Sequence, residues 1–245
     1  ITIVGKTWDI HVTQALSATL DENLDMISDT FSYLSGKTAE LFFDAEHFFD
    51  GFKESPEYAA ETLAAAADAG ADFLVLCDTN GGTLPHEVDA IIRSVKRSLE
   101  KQGLDAGRMK LGIHTHNDCG MAEATAVSAV NCGAVMIHGT INGYGERCGN
   151  ADLTTLIPVL SAKMKRPCIP EGKLCRLKSL SRFVSETANI VPLNTRPFVG
   201  HSAFAHKGGI HVSAIMKESR AYEHIDPEIV GNQRRVLMSD LAGKS

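Results

Sequence analysis

The feature that most constrains this chain is a rhythm running through its first two-thirds. Short apolar runs of strand character recur at Ile1–Val4, Leu41–Phe43, Phe73–Cys77, Met109–Ile113 and Val135–Ile137. Stretches with helical spacing separate them. Leu24, Ile27, Phe31 and Leu34 fall on one helical face, and Gly36 follows. Ser55-Pro56 opens a second helix and Gly70 closes it. Thr83-Leu84-Pro85 opens a third, whose apolar face is Val88, Ile91, Ile92, Val95 and Leu99, with Gly103 beyond its end. Met121 to Cys132 is Ala-rich and ends at Gly133. Strand alternating with helix predicts parallel strands joined by crossover helices. Continuous apolar strands fit a sheet covered on both faces.

Polar residues gather just after the apolar runs: Asp44-Ala45-Glu46-His47, Asp78-Thr79-Asn80, His114-Thr115-His116-Asn117-Asp118 and Asn142-Gly143-Tyr144-Gly145-Glu146. A (β/α)8 barrel carries its active site at that end of its strands. An open doubly wound sheet also binds ligands at strand carboxyl ends, but at a switch point that uses fewer strands. The expected fold class is therefore α/β, a (β/α)8 TIM barrel. Five strands are visible where a closed barrel has eight, so about three βα units are expected to be missing from the front. The start on Ile1 and the end on Ser245 both read as cut from something longer. After about residue 160 the rhythm breaks. Lys173 to Asn189 is expected to be helical, with Leu177, Leu180, Phe183, Val184 and Ala188 on one side. The expected division is residues 1–165 as a partial barrel and 166–245 as a helical subdomain that reaches back over the barrel mouth.

The chain has 245 residues, 44% of them apolar and 22% charged, which is ordinary for a globular protein. Its formal net charge of −6 argues against nucleic acid as a partner. The six cysteines form no C-x-x-C, and a reducing, cytoplasmic compartment is expected. No apolar run is long enough to cross a bilayer, so no membrane partner is expected.

His114 and His116 lie two apart at the end of a strand, so their side chains point the same way. They are either two polar residues bonded to neighbours or a pair converging on one divalent ion. Asp118 is then a candidate to orient a ligand ring. The segment from Gly139 to Asn150 is Gly-rich and lacks both the dinucleotide fingerprint and the P-loop signature. It is either a tight turn or a loop that approaches a ligand through Gly143 and Gly145 and delivers Asn150 to the metal. Glu46 shares a strand face with Asp44 and is a candidate general base or a salt-bridge partner. Thr79 either binds a substrate carboxylate or satisfies loop backbone. His201, His206 and His211 fall within eleven residues among glycines; surface histidines are the alternative to a functional role.

These motifs carry a resemblance. Gly-Ile-His-Thr-His-Asn-Asp followed by Gly-Thr-Ile-Asn-Gly-Tyr-Gly-Glu-Arg-Cys-Gly-Asn-Ala resembles the 2-isopropylmalate, homocitrate and citramalate synthases, which are metal-dependent aldolase-type TIM barrels related to hydroxymethylglutaryl-CoA lyase. Asp-Ala-Glu-His-Phe-Phe-Asp-Gly at 44–51, Cys-Asp-Thr-Asn-Gly-Gly-Thr at 77–83 and the segment 203–214 look most like the citramalate synthase branch. The resemblance implies that His114, His116 and Asn150 are metal ligands and that Glu46 is catalytic. It matches His206 or His211, with Tyr222, to groups that assist proton transfer. It makes the five strands numbers four to eight of the barrel. A further Asp ligand and a catalytic Arg, in an Asp-x-x-x-Arg-Asp-Gly segment of the first strand, are absent here.

The implied activity is condensation of acetyl-CoA with a 2-oxo acid, pyruvate giving citramalate, in isoleucine and leucine biosynthesis. The implied cofactor is Mn²⁺, Mg²⁺ or Zn²⁺, a mixed nitrogen and oxygen site suiting all three. Small molecules are the expected partners, with a homodimer in the intact enzyme. The alternatives are a 2-isopropylmalate synthase acting on 2-oxoisovalerate, a hydroxymethylglutaryl-CoA-lyase-type enzyme, and a non-catalytic homologue.

Overall fold

The computed structural model describes residues 1–104 and 110–237. Five strands, β1 (Thr2–Lys6), β2 (Phe42–Glu46), β3 (Phe73–Asp78), β4 (Lys110–Thr115) and β5 (Met136–His138), form one parallel sheet in the order β1-β2-β3-β4-β5. Each strand lies beside its sequence neighbour. A doubly wound sheet reverses direction at a switch point, and this one does not. It progresses around as a TIM-barrel-type sheet does. The start of the fourth expected strand, Met109, lies outside the described residues.

The strands extend further than their apolar runs. β2 continues from the Leu41–Phe43 run to Glu46, and β4 continues from Ile113 to Thr115. Side chains alternate on a strand. Phe43 and Ala45 are fully buried on one side of β2, while Asp44 and Glu46 on the other are half-buried. The candidate site residues Glu46 and His114 are therefore held on strand backbone.

The intervening helices are α1 (Leu20–Leu34), α2 (Phe48–Glu54), α3 (Pro56–Asp68), α4 (Pro85–Lys101) and α5 (Ala122–Asn131). Thr19 caps α1 in a capping box with Glu22, its hydroxyl accepting from the Glu22 N–H. Ile27 and Phe31 are buried on this helix, and Phe31 meets Phe43 edge-on. Val88, Ile91, Ile92, Val95 and Leu99 are all buried on α4, the face its periodicity predicts. The short helix α2 was not anticipated, because its Phe48-Phe49 start reads as a continuation of an apolar strand. Phe48, Phe49 and Phe52 are buried there. Among the described residues no helix is long and apolar enough to cross a membrane.

The chain divides into two compact units, residues 1–139 with 145–151, and residues 140–144 with 152–245. The second unit contains α6 (Leu153–Pro158), α7 (Leu177–Thr187), α8 (Gly209–Lys217) and a two-strand ladder of β6 (Ala205–His206) and β7 (Arg235–Val236). Its core joins Leu177, Phe198, Val199, Phe204 and Val230. The apolar face expected on α7 is corrected. Leu180 is 40% and Phe183 64% exposed, while Ser181 and Ser185 are buried. The Asn142 amide donates to the Ser181 carbonyl at 2.8 Å, and the Ser181 hydroxyl donates to the Asn142 side-chain oxygen at 2.6 Å. Satisfied polar partners thus place two serines inside where periodicity favours leucine and phenylalanine.

Gly51, in α2, sits against the end of β1. A Cβ there would overlap the Thr7 carbonyl oxygen and press on the Thr7 carbonyl carbon and Trp8 Cα, both at 3.0 Å. These are backbone atoms and cannot swing away. Gly51→Ala is expected to destabilise the protein by about 1–3 kcal/mol, read as a lowered denaturation midpoint in urea. An unchanged midpoint would show that α2 is not clamped against β1.

Candidate active site

The register of the parallel sheet assembles the site. Lys6 on β1 lies opposite Glu46 on β2, Cys77 on β3 opposite His114 on β4, and His114 opposite His138 on β5. Parallel neighbours at one level face the same side, so these residues form a row at the carboxyl end of the strands. Lys6 Nζ makes an ion pair with Glu46 Oε2, both side chains about one quarter exposed. Asp44 lies one turn of the pleat below Glu46. Its Oδ2 is 3.8 Å from His138 Nδ1, and its Oδ1 is buried without a hydrogen-bond partner. Burial pushes the Asp44 carboxyl above its ordinary value, opposed by His138.

His114 and His116 converge. Their Nε2 atoms are 3.3 Å apart. Two nitrogens about 2.1 Å from one ion, at angles between octahedral and tetrahedral, stand roughly 3.0–3.4 Å apart. Burial, then the neighbouring imidazoles of His116 and His138, lowers His114 to about 4. Burial and then the Arg147 guanidinium lower His116. Both rings are neutral near pH 7, the state a metal requires. His138 meets His114 edge-on at 5.8 Å between ring centroids. His116 Nδ1 is buried and has no hydrogen-bond partner.

Asn150 reaches the same place by a backbone bridge. It pairs antiparallel with His116, and the next residue, Ala151, donates its N–H to the Thr115 carbonyl at 3.0 Å. Gly145 makes room for it, because a Cβ at that position would overlap Asn150 Nδ2. Two imidazole nitrogens with one amide brought beside them would suit a divalent ion of borderline or hard character. Among the described residues no three His, Cys, Asp or Glu side chains form a metal-holding group.

Arg147 ties the Gly-rich segment to the β3 and β4 loops. Its Nε donates to Asp118 Oδ1 at 2.7 Å, and its Nη2 donates to Asp118 Oδ2 at 3.0 Å and to the Thr79 carbonyl at 2.7 Å. Asp118 is therefore bound by Arg147, which corrects its expected role as a partner for a ligand ring. Thr79 Oγ1 accepts the His47 N–H at 2.8 Å. Its own hydroxyl hydrogen is left to point elsewhere. His47 follows Glu46 with a left-handed backbone, φ 55°, and its Nδ1 lies 2.9 Å from Asp50 Oδ2. Trp8 and His11 stack at 5.2 Å, and His11 meets His47 edge-on at 4.4 Å.

The remaining sequence candidates lie in the second unit. Asn142 and Gly143 both take positive φ, 68° and 65°, so Gly143 serves a turn. His206 on β6 lies 3.4 Å from Glu223, which also holds Arg234 through two hydrogen bonds. His211 on α8 stacks on Tyr222 at 4.2 Å. His201 is exposed. Sequence reasoning did not single out Lys6, His138 or Arg147. The first lies at the end of a β1 longer than its apolar run. The second ends β5, which periodicity stopped at Ile137.

The fold and this imidazole pair define a TIM-barrel-type protein with a candidate metal centre at its strand carboxyl ends. The family model described as HMGL-like matches residues 1–184, and the chain belongs to that family. A second model, described as homocitrate synthase post-HMGL domain-like, matches residues 198–245. The (R)-citramalate synthase of Geobacter sulfurreducens is 55% identical over 244 residues, and that of Synechocystis is 54% identical over 245. Both alignments cover 100% of this chain and 45% of the relative, so the chain spans under half the length of these proteins. The crystal structure of Bacillus subtilis HMG-CoA lyase superposes with a TM-score of 0.64 at 19% identity, covering 80% of this chain and 65% of that one. This likeness speaks to fold alone.

Gly145→Ala tests the Asn150 assignment. The added methyl displaces the Asn150 amide, and metal affinity of the full-length protein is expected to fall about ten- to hundredfold. Calorimetric titration with Mn²⁺ reads the change. Wild-type affinity would remove Asn150 from the metal site.

Proposed function

We propose that the protein to which this chain belongs condenses acetyl-CoA with pyruvate to give citramalate, in the route to isoleucine and leucine. The observation that carries the reading is the imidazole pair of His114 and His116, with Asn150 bridged to it and the Glu46 carboxylate on the same sheet. The 54–55% identity to (R)-citramalate synthases across the whole chain supports pyruvate over 2-oxoisovalerate as acceptor.

The net reaction removes one methyl proton from the acetyl group, joins that carbon to the keto carbon of pyruvate, protonates the keto oxygen to a hydroxyl, and hydrolyses the thioester with water to a carboxylate, releasing CoA as its thiol. His114, His116 and Asn150 would hold a divalent ion, Mn²⁺, Mg²⁺ or Zn²⁺, whose chemistry is Lewis-acid polarisation of a keto carbonyl. Glu46 takes the role of proton-handling carboxylate at the end of β2, and the Lys6 ammonium holds it in place. Thr79 keeps a hydroxyl hydrogen to donate to the substrate carboxylate while its oxygen fixes the His47 N–H. Gly145 keeps the space beside Asn150 clear. In the second unit, His211 with Tyr222 and His206 with Glu223 are the groups assigned to later proton transfers. The five strands of this chain would be the last five of the barrel, with the remaining βα units and the fourth protein ligand supplied by the rest of the protein.

Thiol release by the full-length protein, run in parallel with pyruvate, 2-oxoisovalerate and 2-oxoglutarate, tests the assignment. Pyruvate is expected to exceed the other two by at least about tenfold, the scale on which a pocket discriminates added methyl groups. A preference for 2-oxoisovalerate would make the protein an isopropylmalate synthase instead. Replacing both His114 and His116 by Ala should abolish metal-dependent release. Glu46→Gln should lower kcat by roughly 10²–10⁴ while the variant still binds metal. A Glu46→Gln enzyme with normal turnover would take the carboxylate out of the chemistry.

A further inference from the structure

The second unit contains a cavity of about 450 Å³ between α7, the loop 192–201 and β7. That volume is within the range of small-ligand sites. Its wall is unusually cationic: Lys178, Arg182, Arg196 and Arg235 line it against one carboxylate, Glu186.

Two of the four cations are committed. Arg182 Nε donates to Glu186 Oε1 at 2.6 Å. Arg196 pairs with Asp152 and donates to the Asn142 carbonyl at 2.7 Å. The other two line the same cavity without an ionic partner. Among the described residues neither Lys178 nor Arg235 forms an ion pair with a carboxylate. Lys178 Nζ donates to Asn232 Oδ1 at 2.7 Å, a neutral partner. Arg235 Nε is buried and has no hydrogen-bond partner. Burial and then the charge of Arg235 lower the Lys178 ammonium from its ordinary value, so the two groups repel.

This arrangement costs free energy in the empty protein. A buried guanidinium N–H without an acceptor loses its hydration and gains nothing, and two like charges at a cavity wall have no local counter-charge. Among the described residues no carboxylate partner calls for either charge. The local fold is held by Asn232, whose amide donates to the Phe198 carbonyl at 2.8 Å and to the Gly200 carbonyl at 3.0 Å. An anion removes both costs at once. A single carboxylate neutralises only one of the two free cations. A phosphate group carries up to two charges, and its oxygens can accept from an ammonium and a guanidinium together.

We propose that this cavity is a binding site for a phosphate-bearing small molecule, held by Lys178 and Arg235. The phosphate can come from the nucleotide end of CoA or from an independent phosphorylated ligand. Binding there does not require the assigned chemistry.

Calorimetric titration of the full-length protein with inorganic pyrophosphate tests the proposal, at low salt and again at 0.5 M NaCl. Wild-type protein is expected to bind, with affinity falling as salt screens the contact. Lys178→Gln and Arg235→Gln are each expected to weaken binding at least about tenfold, the scale of a lost charge-assisted contact. Arg235→Lys, which keeps the charge and loses the fork, should fall between. The thermal midpoint of the ligand-free Arg235→Gln variant should match or exceed that of wild type, because one of two repelling charges is gone and no hydrogen bond of Asn232 is lost; a variant that fails to fold is replaced by the salt series and Arg235→Lys. Displacement of pyrophosphate by CoA would identify the co-substrate as the source, and binding without displacement would identify a separate ligand. Absence of pyrophosphate binding, or equal binding by wild type and variants, overturns the proposal. Because the readout is binding, loss of thiol release leaves it unaffected.

Discussion

The parallel register of β2 through β5 is the constraint on which the candidate site rests. His114, at the end of β4, lies level with Cys77 on one side and His138 on the other. A slip of one residue in β4 would turn its side chains to the opposite face, burying imidazole among helices and sending Ile113 into the site. What prevents the slip is ordinary packing. Leu111 and Ile113 are almost fully buried, as are Leu74 and Leu76 on β3. Gly112 lets β4 sit close to its neighbours: a Cβ there would crowd Val75 and Met136 at about 3 Å. The apolar residues of the sheet thus set, by alternation, where the polar ones point.

That placement concentrates electrostatic cost on a few side chains. Burial is the first cause of the shifts at Asp44, Cys77, His114 and His116. It raises the two acids and lowers the two bases, so each is driven toward its neutral form. Glu46 is treated differently, since Lys6 gives it a direct ionic partner. The row therefore sets an ion-paired carboxylate two strands from an imidazole that burial keeps neutral, His114. Perturbed groups gathered at one end of a sheet are characteristic of functional sites. Asp44 stands out in this row, with one buried oxygen lacking a hydrogen-bond partner and the other 3.8 Å from His138.

How much of this was legible in the sequence follows from what each signal measures. Apolar runs located all five strands, because both faces of a covered strand must be apolar. The same signal ended each strand too early. Where one face turns from packed helix to open site, apolar residues give way to polar ones while the backbone ladder continues. Glu46 and His114 were therefore placed beyond the apolar runs and recognised as strand residues only by their alternation, and Lys6 and His138 were passed over. His114 and His116 were found through their two-residue spacing at a strand end and Asn150 as one reading of the Gly-rich segment; the resemblance grouped the three, and the backbone bridge from His116 to Asn150 gives that grouping its geometry. Periodicity misread α7 for a different reason. A helical apolar face assumes an apolar partner, whereas α7 buries Ser181 and Ser185 against the amide of Asn142. A buried amide with its hydrogen bonds satisfied leaves no trace in spacing.

The turn after Glu46 shows how strain and hydrogen bonding combine to hold a carboxylate still. His47 occupies the left-handed region, which is uncommon for a residue with a Cβ. Such a conformation persists only where its surroundings over-determine it. Here the His47 N–H donates to Thr79 Oγ1, its ring bonds Asp50, and Asp50 accepts from the Asn80 amide at 3.0 Å. Thr79 and Asn80 after β3, with Asp50 in α2, thus fix one backbone reversal. Its effect is to send the chain straight from β2 into α2 at Phe48, with no intervening loop to relax. Glu46 is the last residue before that reversal and is tied on its other side to Lys6, and the Glu46 carbonyl accepts the Thr7 hydroxyl at 2.7 Å. The carboxylate is held from β1, from β3 and from its own turn, so its position is set by the sheet rather than by a mobile loop. This is the kind of support a proton-transferring group requires, because its rate depends on geometry held before the substrate arrives.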